Sequence, residues 1–183
     1  MPKKSAKVIS SRVVYRGPVF SVTTDRVKEP GAIVARRDVV RHSGSVVIMA
    51  VDDTRNHKDP RVLLARQYRH PAKAFLWELP AGRIDPGESA LAGAKRELLE
   101  ESGYTATHWR RALYFYSSPG FLDETMAIYL ATGLKRGKAE PEEDEFITVR
   151  MFPLSQLLRM ITSGKIIDGK TISGVLWLAQ QRR

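Results

Sequence analysis

Cysteine is absent from all 183 residues. Disulfides, thiolate metal sites and cysteine nucleophiles are therefore excluded, and a reducing cytoplasm is the expected compartment. Long apolar runs are missing too. No stretch approaches the ~20 residues needed to span a membrane. The opening residues Met1-Pro-Lys-Lys-Ser-Ala-Lys-Val-Ile carry three lysines but no apolar segment of signal-peptide length, so no membrane partner is expected. Histidine is sparse and scattered: His42, His57, His70 and His108 form no H-x3-H pair, which argues against an imidazole metal site. Trp77, Trp109 and Trp177 read as core or interface residues. Basic residues never form a run. They occur as pairs such as Arg36-Arg37, Arg110-Arg111, Lys135-Arg136 and Arg182-Arg183, without interleaved stacking aromatics. Nucleic acid is thus a minor reading.

The composition that remains is that of a soluble globular protein, 43% hydrophobic and 27% charged. The length suits one domain with a full core, or one domain with a small appendage. A net charge of +10 favours solubility and anionic ligands.

Residues 1–6 read as disordered. Between 7 and 40, short alternating segments punctuated by Gly17-Pro18 and Glu29-Pro30-Gly31 predict an antiparallel meander. Such a sheet buries little alone and needs a partner surface. Strands are expected at 46–51, 61–66, 75–79, about 112–117, 125–131 and 146–152. Helices are expected from about 88–89, near 154–162 and near 171–181, with a charged, flexible loop at 135–144. Strands covered by helices in this order predict an α/β sandwich around a mixed sheet. The domain division expected is a meander at 7–40 followed by a larger domain at 41–183.

Chemistry concentrates at 82–104. Four glutamates, Glu88, Glu97, Glu100 and Glu101, and one arginine, Arg96, crowd a loop and the start of a helix. Glu97 and Glu101 lie one above the other at the i, i+4 spacing, with Glu100 on the same side. Leu91, Ala94 and Leu98 form an apolar stripe set apart from them. Like charges at that spacing repel by a few tenths of a kcal/mol, roughly, and a divalent cation reverses the sign. Hard cations take oxygen ligands and are commonly held by carboxylates together with substrate phosphates. Acidic helix faces are usually just solvated, but here the pattern is tighter than that explanation requires.

The stretch resembles the Nudix box, G-x5-E-x7-R-E-U-x-E-E-x-G-U, where U is a bulky aliphatic residue. Gly82, Glu88, Arg96, Glu97, Leu98, Glu100, Glu101 and Gly103 match in register, and Tyr104 departs at the final, packing position. At average residue usage, seven fixed positions match by chance at one site roughly once in 10⁸. Further segments resemble the ADP-ribose pyrophosphatase branch. They are Arg66-Gln-Tyr-Arg69, Trp77-Glu-Leu-Pro-Ala-Gly82, Ser118-Pro119-Gly120 with Pro119 sixteen residues after Gly103, and Glu142-Glu-Asp-Glu-Phe-Ile147. The resemblance implies a Nudix-type sandwich and Mg²⁺- or Mn²⁺-dependent hydrolysis of ADP-ribose to AMP and ribose 5-phosphate. Another nucleotide sugar such as GDP-mannose is the alternative substrate. A non-catalytic nucleotide-sensing or nucleic-acid-binding protein on the same fold is the alternative of another class.

The resemblance also implies roles. Glu97, Glu101, Glu145 and the carbonyl of Ala81 would hold metal. Glu143 is the candidate base, with Glu100 and Arg96 in the catalytic set. Arg69, Arg37, Pro119 and Phe20 would contact substrate. Gly82, Glu88 and Gly103 would be structural. In this branch the N-terminal sheet crosses to a second subunit, so a homodimer with exchanged sheets is expected.

Overall fold

The computed structural model describes residues 5–137 and 147–182. The chain divides into two compact units, residues 1–44 with 116–125, and residues 45–115 with 126–183.

In the first unit β1 (Lys7–Arg16), β2 (Ser21–Lys28) and β3 (Val34–Arg41) form a three-stranded antiparallel sheet in sequence order. The short segments expected here are merged into three full strands. Cross-strand pairing carries the ladder past residues that break the alternation, with bulges between Val8 and Ser10 and between Val13 and Tyr15. β1 is exposed along its whole length, including Val8, Ile9, Val13, Val14 and Tyr15. The 116–125 segment joins this unit. Val40 N–H donates to the Phe121 carbonyl at 2.8 Å, and Asp123 N–H donates to the Val40 carbonyl at 3.1 Å.

The second unit is built on β4 (Ser45–Asp52). Its Val46 to Val51 are all at most 1% exposed, as a strand buried on both faces should be. Around it lie β5 (Arg61–Arg69), β6 (Ala74–Glu78), β7 (Ala81–Arg83), β8 (Tyr104–Tyr116), β9 (Thr125–Arg136) and β10 (Thr148–Pro153). The main order is β10-β5-β4-β9-β8, with β6 on β5 and β7 on β4. β4 runs parallel to β9 and antiparallel to β5 and β7, so the sheet is mixed.

The period of two along β4 sorts the core into two layers. Val47, Met49 and Val51 pack with residues of α2 (Leu154–Thr162) and α3 (Gly169–Gln181), among them Leu157, Val175 and Leu178. Val46, Ile48 and Ala50 pack with Ala94 and Leu98 of α1 (Ala90–Ser102). The result within this unit is the expected sandwich of helices on both faces of a mixed sheet. Among the described residues no helix is long and apolar enough to cross a membrane.

Several expectations need correction. β8 begins directly after α1 and β9 runs to Arg136, well beyond the strands expected at 112–117 and 125–131. Their extensions are rich in polar residues and pack on the core only through the partly buried Tyr104, Ala106, Trp109 and Leu134, so their apolar signal is weak. The loop expected at 135–144 therefore starts inside a strand, and 138–146 lies outside the described residues. Ala81–Arg83, expected as loop, is a short strand on β4. On α1, Leu91 is 36% exposed, while Gly93, Ala94, Leu98, Glu101 and Ser102 are buried. Glu101 thus belongs to the buried face and is not set apart from it.

Candidate active site

The site starts from a corner in the backbone. Leu79 is buried, the Pro80 carbonyl accepts from Ile48 N–H at 2.8 Å, and Ala81 and Gly82 pair with Val47 and Val46. The most buried strand of the unit therefore fixes the Ala81 carbonyl and Gly82. The chain then turns through Asp85-Pro86-Gly87 into α1. Ser89 caps that helix by accepting from Ala92 N–H at 3.2 Å. Gly103 ends it at φ 70°, the left-handed conformation that favours glycine, donating to the Leu99 carbonyl at 2.8 Å.

The box side chains meet between helix and corner. A Cβ on Gly82 would overlap the Glu97 carboxylate, so glycine is what lets Glu97 lie against this backbone. Arg96 organises the rest. Its Nη1 donates to Glu97 Oε1 at 2.8 Å and Glu100 Oε2 at 2.9 Å. Its Nε and Nη2 donate to Glu88 at 3.1 Å each, and Nη2 also reaches the Arg83 carbonyl at 3.1 Å. Asp85 adds a longer ion pair at 3.6 Å. Glu88 further accepts from Asp85 N–H at 3.2 Å. These hydrogen bonds raise the Arg96 pKa beyond its ordinary range, with Glu88 the largest cause. The Arg96 hydrogen bond in turn holds the Glu88 carboxyl below its usual range. The three carboxylates differ in burial: side-chain exposure is 34% for Glu100 and 13% for Glu97, and Glu101 is 7% exposed.

Does this set fit a divalent cation? Glu97, Glu100, Glu101 and the Ala81 carbonyl are hard oxygen donors, and Gly82 leaves room for a carboxylate beside that carbonyl. The donor chemistry fits. Among the described residues no three carboxylate or imidazole side chains converge on one point, and Glu97 and Glu100 each turn an oxygen to Arg96. Glu143 and Glu145 lie outside the described residues.

A second cluster borders the corner. Glu78, 3% exposed, accepts from Arg69 in a two-pronged pair, Nε to Oε1 and Nη2 to Oε2, both at 2.9 Å. Lys170 Nζ also donates to Glu78 Oε2, and to Asp168 Oδ1 at 2.9 Å. Burial pushes the Glu78 carboxyl up, but Arg69 and Lys170 together outweigh it and hold the group below its ordinary value. Arg69, expected on substrate, thus has one edge committed to Glu78. Sequence reasoning missed Glu78, Lys170 and Asp168. The available signal was one charge inside the apolar strand Phe75-Leu-Trp-Glu-Leu79.

Phe20, Arg37 and Pro119 all belong to the other unit. Phe20 is 42% exposed, its ring tilted against Tyr15 with centroids 5.5 Å apart. Arg37 pairs with Glu29. Pro119 sits in a turn where Leu122 N–H donates to the Ser118 carbonyl at 3.0 Å. Asp123 fastens that turn to β3, accepting from His42 N–H at 2.8 Å and Arg41 Nη1 at 3.1 Å.

Comparison with known proteins bears on the family and the fold. The family model for the NUDIX domain matches residues 41–173. The ADP-ribose pyrophosphatase of Mycobacterium tuberculosis is 37% identical over 179 residues, covering 96% of this chain and 84% of that protein. The ADP-ribose pyrophosphatase of Bacillus subtilis is 33% identical over 180 residues, covering 97% and 95%. A solved structure described as an ADP compounds hydrolase superposes with a TM-score of 0.79 at 22% identity, covering 97% of this chain and 94% of that one. The sandwich is thus that of a known fold, and this chain belongs to the NUDIX domain family as a Nudix hydrolase.

Proposed function

We propose that this enzyme hydrolyses the diphosphate linkage of ADP-ribose to give AMP and ribose 5-phosphate, using Mg²⁺ or Mn²⁺. The observation that carries the reading is the glycine corner with its oxygen donors. Glu97 lies against Gly82 beside the Ala81 carbonyl, with the acidic face of α1 next to it. The relatives named ADP-ribose pyrophosphatase support the choice of substrate.

In the reaction a water oxygen bonds to one phosphorus while that phosphorus parts from the bridging oxygen. One proton of the water leaves with a base and the two phosphates separate as products. Glu97, Glu101 and the Ala81 carbonyl would hold the cation, with Glu100 beside them and Glu145 as a further ligand. When bound, it supplies neutralisation of the diphosphate charge and a more acidic water. Arg96 keeps Glu97 and Glu100 in place against their mutual repulsion. Glu143 is assigned as base. Arg69 is assigned to the diphosphate, for which a guanidinium is a suitable fixed fork. Phe20, Arg37 and Pro119 are assigned to recognition. The exposed apolar strand β1 supports a homodimer that exchanges N-terminal sheets. A cytoplasmic setting accords with the absence of cysteine.

The test is a panel of ADP-ribose, GDP-mannose, dinucleotides and capped RNA, with Mg²⁺ and then EDTA. ADP-ribose is expected to be cleaved best, and EDTA to stop it. Turnover of nothing would remove the enzymatic reading, whereas a preference for GDP-mannose would move only the substrate. Glu97→Gln and Glu101→Gln should each lower kcat by more than the ~10–100-fold typical of residues that merely support ligands. Light scattering should give twice the 20.6 kDa chain mass, and a monomer would exclude the exchanged dimer.

A further inference from the structure

The first turn of α3 holds the two residues that lead into the glycine corner. Lys170 Nζ donates to Glu78, and Thr171 Oγ1 accepts from Leu79 N–H at 2.8 Å. Asp168, the cap of that helix, accepts from Thr171 N–H at 3.0 Å, from Thr171 Oγ1 at 2.6 Å and from Lys170 Nζ at 2.9 Å. Lys170 is almost buried, with its side chain 10% exposed, and has no part in the hydrolytic step itself. Arg69 at the other end is 40% exposed and would be free to turn if unclamped. Long cationic side chains lose much rotamer freedom when fixed, and a planar fork seated on a carboxylate loses it before substrate arrives.

We propose that Lys170 is a positioning residue for substrate binding. Its ammonium fixes the buried Glu78 carboxylate from the α3 side, and Glu78 then seats the Nε–Nη2 edge of Arg69. The guanidinium is thereby held in one orientation. Arg69, Glu78, Lys170 and Asp168 sum to zero charge, so removing the lysine leaves the carboxylates in excess where an anion must approach. The inference rests on the assignment of Arg69 to the diphosphate.

Steady-state kinetics with ADP-ribose on the full chain separate the two. Lys170→Met should raise KM by ~10-fold, the scale seen when a supporting partner is lost, with kcat within about twofold. Lys170→Arg should restore KM. Mn²⁺ affinity measured without substrate should stay unchanged, since Thr171 still holds Leu79. In an Arg69→Gln background, Lys170→Met should add nothing further to KM. An additive effect there, a fall in Mn²⁺ affinity, or an unchanged KM would overturn the proposal. If Arg69→Gln itself leaves KM unaltered, the diphosphate assignment fails and the inference with it. Should Lys170→Met not fold, Lys170→Gln carries the same comparison.

Discussion

A methyl group on Gly82 would land inside the Glu97 carboxylate. The collision is with the end of a flexible side chain, so Glu97 can swing away and the fold can survive. What is lost is the placement of one oxygen donor. Gly82→Ala is therefore expected to lower both kcat and Mn²⁺ affinity by ~10–100-fold, as loss of ligand support does, with an unchanged circular dichroism spectrum. Full activity in this variant would mean that Glu97 does not need the corner. At this scale the box residues were legible because their partners are close in sequence. Arg96 reaches Glu97 and Glu100 within one helical turn and Glu88 one loop away. Glu78 was not legible, because Lys170 lies 92 residues further on and nothing in the local pattern joins them.

Among the elements, α1 was read well at its start and poorly along its face. Ser89 and Gly103 are conventional cap residues and occupy those places. The face failed because Glu101 takes a buried position that an apolar count assigns to a leucine, while Leu91 faces out. β8 was half missed for a related reason: it ends the sheet order, and its first half carries only a few partly buried apolar residues, Tyr104, Ala106 and Trp109, among polar ones. The C-cap bears on more than the helix, since Gly137 N–H donates to the Gly103 carbonyl at 2.6 Å. Gly103→Ala forces a side chain into φ 70° and should cost about 1 kcal/mol. A urea midpoint that does not fall would show that the cap is not strained by a Cβ.

For the molecule as a whole, acid is the informative stress. Hydrogen bonds from Arg96 hold Glu88 low, those from Ser11 hold Asp25 low, and those from Thr54 hold Asp52 low. Glu78 is low despite its burial, through Arg69 and Lys170. Each carboxyl is more acidic folded than unfolded. The stability this contributes is complete above the ordinary values of 3.8 and 4.5 and is lost as pH falls through the lower folded values. In EDTA, Tm should be level between about pH 7 and 5 and fall steadily below about 4.5. Glu88→Gln should make that fall shallower, and a Tm rising toward pH 3 would contradict the assignment.

The central strand has one more consequence, for the order in which the chain can fold. β4 gains β5 and β7 soon after it is made, but its other neighbour, β9, starts only at Met126 in their shared register. At about 5–20 residues per second, synthesis takes roughly 4–15 s to cover that interval. For those seconds the most apolar strand of the chain carries an open edge on the ribosome. Folding in the cell is thus paced by translation of α1 and β8, and a pause in that stretch would lengthen the exposure of the segment most able to aggregate.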